Sequence, residues 1–206
     1  MEKRAIIVIV LAVLACCSIS NASITNLAYA SDGDGAFVCT PYNWEPNTNE
    51  FTLSVYGDQY WAPGHMLGDV YTDTAEDPTL TISSAIENDT TFAWTAYFVN
   101  VYMSTNFTIS NVTVINPPIT NWTVVSVSPV TYTGSNYVAS IEYDTGTPIA
   151  IGDELDFSYK LSFLGSTHYS FTQEMTPVPE PGTLGLVTIS GLLVGGFELA
   201  RRRRRA

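Results

Sequence analysis

The stretch that decides the fold is ELDFSYKLSFL, residues 154–164. Large apolar and polar side chains alternate along it, with Leu155, Phe157, Tyr159, Leu161 and Phe163 on one side. A period of two places the apolar set on one face of a β-strand and the polar set on the other. A strand with one apolar face needs a second layer to cover that face. The sequence therefore predicts a sheet that packs against another layer.

Seven further segments have strand composition: residues 51–56, 79–86, 92–103, 107–115, 122–127, 137–143 and 169–175. Residues 92–103 are apolar on both faces, which is typical of a strand inside a sheet. Turn-forming residues separate the segments, and no amphipathic helix pattern occurs between them. Short strands at this spacing predict an all-β domain over residues 31–176, an antiparallel sandwich or barrel, and we favour the antiparallel β-sandwich.

The N-terminus has the pattern of an export signal. It reads MEKRAIIVIVLAVLACC (residues 1–17), a basic start followed by eleven uncharged apolar residues. Such a run is too short to span a bilayer and is typical of a secretory signal peptide, predicted here at residues 1–30. The tripeptides SNA and AYA predict cleavage after Ala22 or after Ala30, and we favour Ala30. A lipoprotein site at Cys16 is a further alternative.

The exported part is strongly acidic. Residues 31–179 contain seventeen Asp and Glu but only one basic residue, Lys160, and the whole chain has a net charge of −12. This charge repels phosphate backbones, so it excludes nucleic acid as a partner. Acidic loops suit hard cations such as Ca²⁺. The weak calcium candidates are Asp69, Asp73 and Asp77, and no other cofactor is predicted.

The C-terminus joins three features in a fixed order. Val178-Pro179-Glu180-Pro181-Gly182 is followed by the largely apolar residues 183–200 and then by five arginines. A helix of eighteen residues spans about 27 Å, close to the roughly 30 Å of a bilayer core. Guanidinium groups resist crossing, so the acidic domain would face outward. The sequence predicts a transmembrane helix at 183–200, with a membrane stop at Arg201, Arg202, Arg203, Arg204 and Arg205.

This order of features resembles the PEP-CTERM sorting signal of bacterial exosortase substrates, over residues 177–206. The resemblance implies that Pro179, Glu180 and Pro181 are recognised by an exosortase-like processing enzyme, a membrane-embedded cysteine transpeptidase. It also implies that the helix and basic tail (201–205) are then removed. We therefore expect an exported protein that is anchored in the membrane and later passes to the cell surface or extracellular matrix. The prolines predict that the motif is extended, exposed and outside any sheet.

The sequence contains no clear catalytic motif. We place His65 in a loop and His168 in a turn, and neither has the spacing of metal-ligand motifs. Cys39 remains alone once a signal peptide is removed, so a buried thiol is expected. The protein is expected not to be an enzyme. Two alternatives remain: an exopolysaccharide-binding module in which Tyr60 and Trp61 stack on sugar rings, and a secreted hydrolase with paired carboxylates.

Overall fold

The computed structural model describes residues 22–40, 42–44, 50–115, 121–163 and 165–180. Within these ranges the chain forms thirteen strands and no helix, so the all-β prediction is confirmed. The strands are β1 Ile24–Ser31, β2 Phe37–Cys39, β3 Tyr42–Trp44, β4 Glu50–Gln59, β5 Gly64–Thr72, β6 Thr79–Asn88, β7 Trp94–Met103, β8 Phe107–Val114, β9 Thr123–Val127, β10 Thr131–Tyr132, β11 Tyr137–Ile149, β12 Glu154–Phe163 and β13 His168–Pro179. Among the described residues there is no helix with the length and apolarity to cross a membrane. The predicted helix at 183–200 and the apolar run of the predicted signal peptide lie outside the described residues.

The strands form two sheets around one hydrophobic core, as in a β-sandwich. The larger sheet has the order β10-β11-β7-β13-β5-β1-β3, with β9 also paired to β11, and the smaller has the order β2-β4-β6-β12-β8. Buried side chains from both sheets belong to a single cluster. Pairing is antiparallel except between β4 and β6, which run parallel. The prediction of a purely antiparallel fold is wrong at that pair, because β5 crosses to the other sheet between them.

The eight predicted strands are all present, with shifted ends. The alternation that predicted β12 is confirmed: Leu155, Phe157, Tyr159, Leu161 and Phe163 are all buried. The strand predicted to be internal, β7, lies between β11 and β13. Apolar periodicity therefore identified the strands that contribute most of the core.

Two long strands were not predicted. The sequence assigned β1 to the signal peptide, but Ile24 and Leu27 are fully buried and the strand pairs with both β5 and β3. Strand β5 was predicted as a loop. Its inward positions include two glycines and Thr72, so it lacks the continuous apolar face that marks a strand. At Gly68 a Cβ atom would meet the ring of Phe171, so the glycine leaves room for a neighbouring aromatic side chain. Three short strands, β2, β3 and β10, were also missed.

Two buried hydrogen bonds join the sheets through the core. The hydroxyl of Tyr97 on β7 donates to Oε1 of Gln59 on β4 at 2.8 Å. The hydroxyl of Tyr159 on β12 donates to Oε1 of Gln173 on β13, also at 2.8 Å. All four residues have no exposed surface. Because polar groups buried without partners are costly, these pairs fix how the two sheets face each other.

The buried hydroxyl of Tyr143 gives a test of this polar core. It has no hydrogen-bond partner among the described residues, and burial raises its pKa far above the ordinary value. We expect Tyr143→Phe to leave the free energy of unfolding unchanged or to raise it, because the variant removes an unsatisfied group. We expect the control Tyr97→Phe to lower it by about 1–2 kcal/mol, because Gln59 loses its donor. Urea unfolding measures both, and an equal loss in the two variants would contradict this account.

Candidate functional site

The predicted sorting motif begins inside the last strand. Strand β13 continues to Pro179, which lies opposite Trp94 of β7, and the N–H of Glu180 donates to the carbonyl of Ala93 at 3.3 Å. Val178, Pro179 and Glu180 are half-buried. The backbone is extended as expected, but the prediction that the prolines keep this segment out of a sheet is wrong as far as Pro179. The remainder of the motif, Pro181 and Gly182, lies outside the described residues.

Strand β13 accepts its prolines because one side of its end has no neighbour in the sheet. Pairing with β5 ends at Met175, while pairing with β7 continues. The carbonyl of Met175 accepts from Gln59 on the side away from β7, and the N–H of Glu180 faces β7. Because backbone groups alternate along a strand, the nitrogens of Pro177 and Pro179 face the side that β5 has left. Proline lacks a donor, so it is tolerated at such edge positions.

An acidic loop and a histidine form the candidate cation site. Asp32, Asp34 and His65 are the only group of three or more Asp, Glu, His or Cys in the described ranges whose donor atoms lie within 4.8 Å of one another. Nδ1 of His65 lies 3.1 Å from Oδ2 of Asp32, and its Nε2 lies 3.6 Å from Oε2 of Glu174. His65 is on β5 and not in a loop as predicted. Carboxylates with an imidazole are donors that suit divalent cations.

The three predicted calcium candidates have separate partners. Oδ1 of Asp69 lies 2.8 Å from Nε2 of His168, and Oδ1 of Asp73 accepts the backbone N–H of Ser23 at 2.7 Å. Asp77 lines an open pocket of about 320 Å³ beside Phe107 and Phe163. Within the part of the chain that the structure describes, these three carboxylates form no common ligand group.

An exposed tryptophan lies next to the acidic loop. The side chain of Trp61 is half exposed, and its ring lies over Gly35, where a Cβ atom would be 3.2 Å from the ring. Gly35 also has a φ of +84°, a backbone conformation that favours glycine. Both this φ and the nearby Trp61 ring therefore favour glycine at position 35. The carbonyl of Trp61 accepts from the buried Gln59 amide at 2.6 Å, and its N–H donates to Ala36 at 3.3 Å. These bonds fix the backbone of Trp61, and about half of its side chain remains exposed to solvent.

A serine, a histidine and an aspartate meet on the outer face of the larger sheet, but in the wrong order for nucleophilic catalysis. Oδ1 of Asp69 accepts from Ser170 Oγ at 2.8 Å and lies 2.8 Å from His168 Nε2. A catalytic triad requires the histidine to bridge serine and carboxylate, whereas here the carboxylate bridges. His168, the first residue of β13, stacks on Tyr71 with the ring centroids 4.4 Å apart. This cluster therefore holds neighbouring strands together.

Paired carboxylates are likewise not assembled in the described pocket. Among the residues that line it, Asp77 is the one carboxylate. Glycoside hydrolysis requires two carboxyl groups facing one bond. The pocket thus gives no support to the secreted-hydrolase alternative.

Glu154, Asp156 and Glu87 form a second acidic patch, and this patch predicts that the stability of the fold depends on pH. A side-chain hydrogen bond to Asp156 raises the pKa of Glu154 to about 7, and partial burial and the charges of Asp156 and Glu87 add to the rise. Because the folded state holds this proton more tightly than the unfolded state, stability falls as pH rises from about 4.5 to about 7. We expect Glu154→Gln to gain stability relative to wild type at about pH 8 but not at about pH 4. Solvent screening keeps the effect small.

Urea unfolding at the two pH values measures this effect. The exposed Glu76→Gln variant is the matched control, since it removes one carboxylate elsewhere on the surface. A gain for Glu154→Gln that is the same at both pH values would show that the raised pKa has no part in it.

Cys39 is buried and free, as expected, and burial raises the pKa of its thiol.

Comparison of the chain with protein-family models, with curated proteins and with solved structures finds no match. We therefore infer the function from the residues and geometry of this chain.

Proposed function

We propose that the chain is an exported bacterial protein of the cell surface or extracellular matrix, delivered by a C-terminal signal of the PEP-CTERM type. An exosortase-like enzyme cuts at the Pro-Glu-Pro motif and removes the transmembrane helix and the arginine tail. The acidic β-domain is the cargo and has no catalytic role. One observation carries this proposal: the motif begins at the end of the last core strand, and the apolar stretch and the five arginines follow it directly in the sequence.

The geometry around the motif supports cutting there. Pairing of β13 with β5 ends at Met175, and Pro177 is the last buried residue of the strand. Beyond it, Pro179 pairs with Trp94 at the start of β7, and the N–H of Glu180 donates to the carbonyl of Ala93 just before β7. A processing enzyme would therefore detach only a few residues from one edge to seat the motif in a cleft. A cut after Pro181 would leave all the described strands in the released protein.

The direct test compares release of the full chain from cells with and without the processing enzyme. With the enzyme, we expect the β-domain in the surface or medium fraction. Without it, we expect the protein in the membrane fraction, because the helix and arginines still hold it there. Equal release from both cells would contradict the proposal.

A second candidate is binding of exopolysaccharide, which the geometry at Trp61 favours. An exposed aromatic side chain can stack on sugar rings, and nearby carboxylates bind hydroxyl groups. Trp61 is 51% exposed, and the loop of Asp32 and Asp34 lies beside it. Such binding is compatible with a matrix location.

A glycan array tests this candidate. Wild type should bind at least one neutral polysaccharide, and Trp61→Ala should abolish the signal. Tyr132→Ala is the matched control, because it removes another exposed aromatic side chain, 61% exposed, from a different strand. Absence of binding to any glycan would remove this candidate and leave the sorting proposal intact.

A further inference from the structure

The residues that precede the AYA tripeptide are part of the folded core. Strand β1 lies between β5 and β3, and Ile24, Leu27 and Tyr29 are buried. The hydroxyl of Tyr29 also reaches the other sheet and donates to the carbonyl of Ser54 at 3.1 Å. A cut after Ala30 would remove these side chains and leave β5 with an unpaired edge, which is a liability in a sheet. The mature domain therefore requires β1.

The described chain offers a specific position for an earlier N-terminus. The backbone nitrogen of Ser23 lies 2.7 Å from Oδ1 of Asp73, to which it donates. The N–H of Asp73 in turn donates to the carbonyl of Ser23 at 3.0 Å. Asp73 is exposed at the turn that follows β5, so water and a new chain end can be accommodated there. The tripeptide SNA ends at Ala22, and it is one of the two small-residue patterns that predict signal-peptide cleavage.

We propose that a signal peptidase cuts between Ala22 and Ser23, and that the new α-ammonium group of Ser23 pairs with the carboxylate of Asp73. This inference rests on the export proposed above. The Ala22–Ser23 C–N bond breaks as water adds: Ala22 gains a carboxylate, and the Ser23 nitrogen becomes a protonated amine. That nitrogen already lies at hydrogen-bond distance from Asp73, so the cut replaces a neutral donor by a charged one without moving it.

Burial also fixes the order of events. Ala22 has no exposed surface in the folded chain, so a peptidase has no access to the bond after folding. The cut therefore comes during translocation, before β1 enters the sheet. The charged pair then ties the N-terminal end of β1 to the turn after β5, its neighbour in the sheet.

The N-terminus of the exported protein decides between the possibilities. The full chain is expressed in a bacterium, and intact mass with N-terminal sequencing is measured on the exported form. Ser23 as first residue supports the proposal. Ser31 or Cys16 as first residue would overturn it while leaving export in place. A chain that keeps Met1 inside the cell would overturn both this inference and the proposed export.

A charge-removing variant tests the ion pair. Asp73→Asn keeps an oxygen acceptor but removes the charge, so we expect the melting temperature of the exported protein to fall by roughly 1–4 °C at low salt. The difference should shrink at high salt, because salt screens exposed charges. Asp77→Asn is the matched control in the same exposed turn, and it should not lower the melting temperature. Equal behaviour of the two variants would overturn the ion pair.

Discussion

Phe157→Ala is expected to lower the free energy of unfolding by about 3–5 kcal/mol, the range for a large buried aromatic residue. Phe157 on β12 has no exposed surface and packs at the centre of the core. Its ring centroid lies 5.0 Å from that of Tyr143 and 6.0 Å from that of Tyr97, both on the opposite sheet. Truncation therefore leaves a cavity between the sheets and removes aromatic contacts across them. Since small domains are stable by only about 5–15 kcal/mol, this loss is a large share of the total.

Chemical denaturation of the wild-type and variant proteins measures the loss. Phe98→Ala is the matched control, since Phe98 lies on β7 of the opposite sheet but is only half-buried. Phe98→Ala should lower the free energy of unfolding clearly less than Phe157→Ala does, because less buried apolar surface is lost. If the two variants lost the same stability, the core would not lie where the two sheets meet.

Replacing Pro179, Glu180 and Pro181 together by alanine is expected to reduce surface release to background. Alanine removes both the restriction of φ that keeps the segment extended and the carboxylate at its centre. The apolar residues 183–200 and the arginine tail would be retained, so the protein should accumulate in the membrane fraction at full C-terminal length. Fractionation and mass measurement of the membrane-bound form check this outcome.

Pro177→Ala is the matched control for the triple variant. It changes a proline of the same strand, two residues before Pro179, and this variant should be released normally. The melting temperature of the domain is compared in both variants, because Pro179 lies opposite Trp94 and its loss could disturb the sheet. Normal release of a folded triple variant would show that the motif is not what the enzyme recognises.

The strands that the sequence predicted correctly are those with an unbroken apolar face. Strand β12 is the clearest case, because all five of its inward positions carry large side chains. Strand β5 was missed because Gly64 and Gly68 occupy inward positions, where neighbours fill the space that a side chain would take. Strand β1 was missed for a different reason: its sequence ITNLAYAS also fits the end of a signal peptide. A cleavage pattern carries no information about whether the residues before it are needed in the core.

The candidate sites depended even more on tertiary structure. Asp32 and Asp34 are near in sequence, but His65 joins them only because β5 lies next to β1. The predicted set of Asp69, Asp73 and Asp77 relied on nearness along the chain, and alternation along β5 and the following turn sends these carboxylates to different partners. Trp61 was named from its type alone. Its fixed position over Gly35 follows from contacts that no sequence pattern shows.

The intact mass of the protein released from the cell surface tests the sorting proposal most directly. The account predicts a C-terminus before residue 183, with the β-domain complete through Pro179 and all five arginines absent. A released protein that still carries Arg201–Arg205 would contradict the account, because the tail would then have neither held the chain in the membrane nor been removed by a processing enzyme.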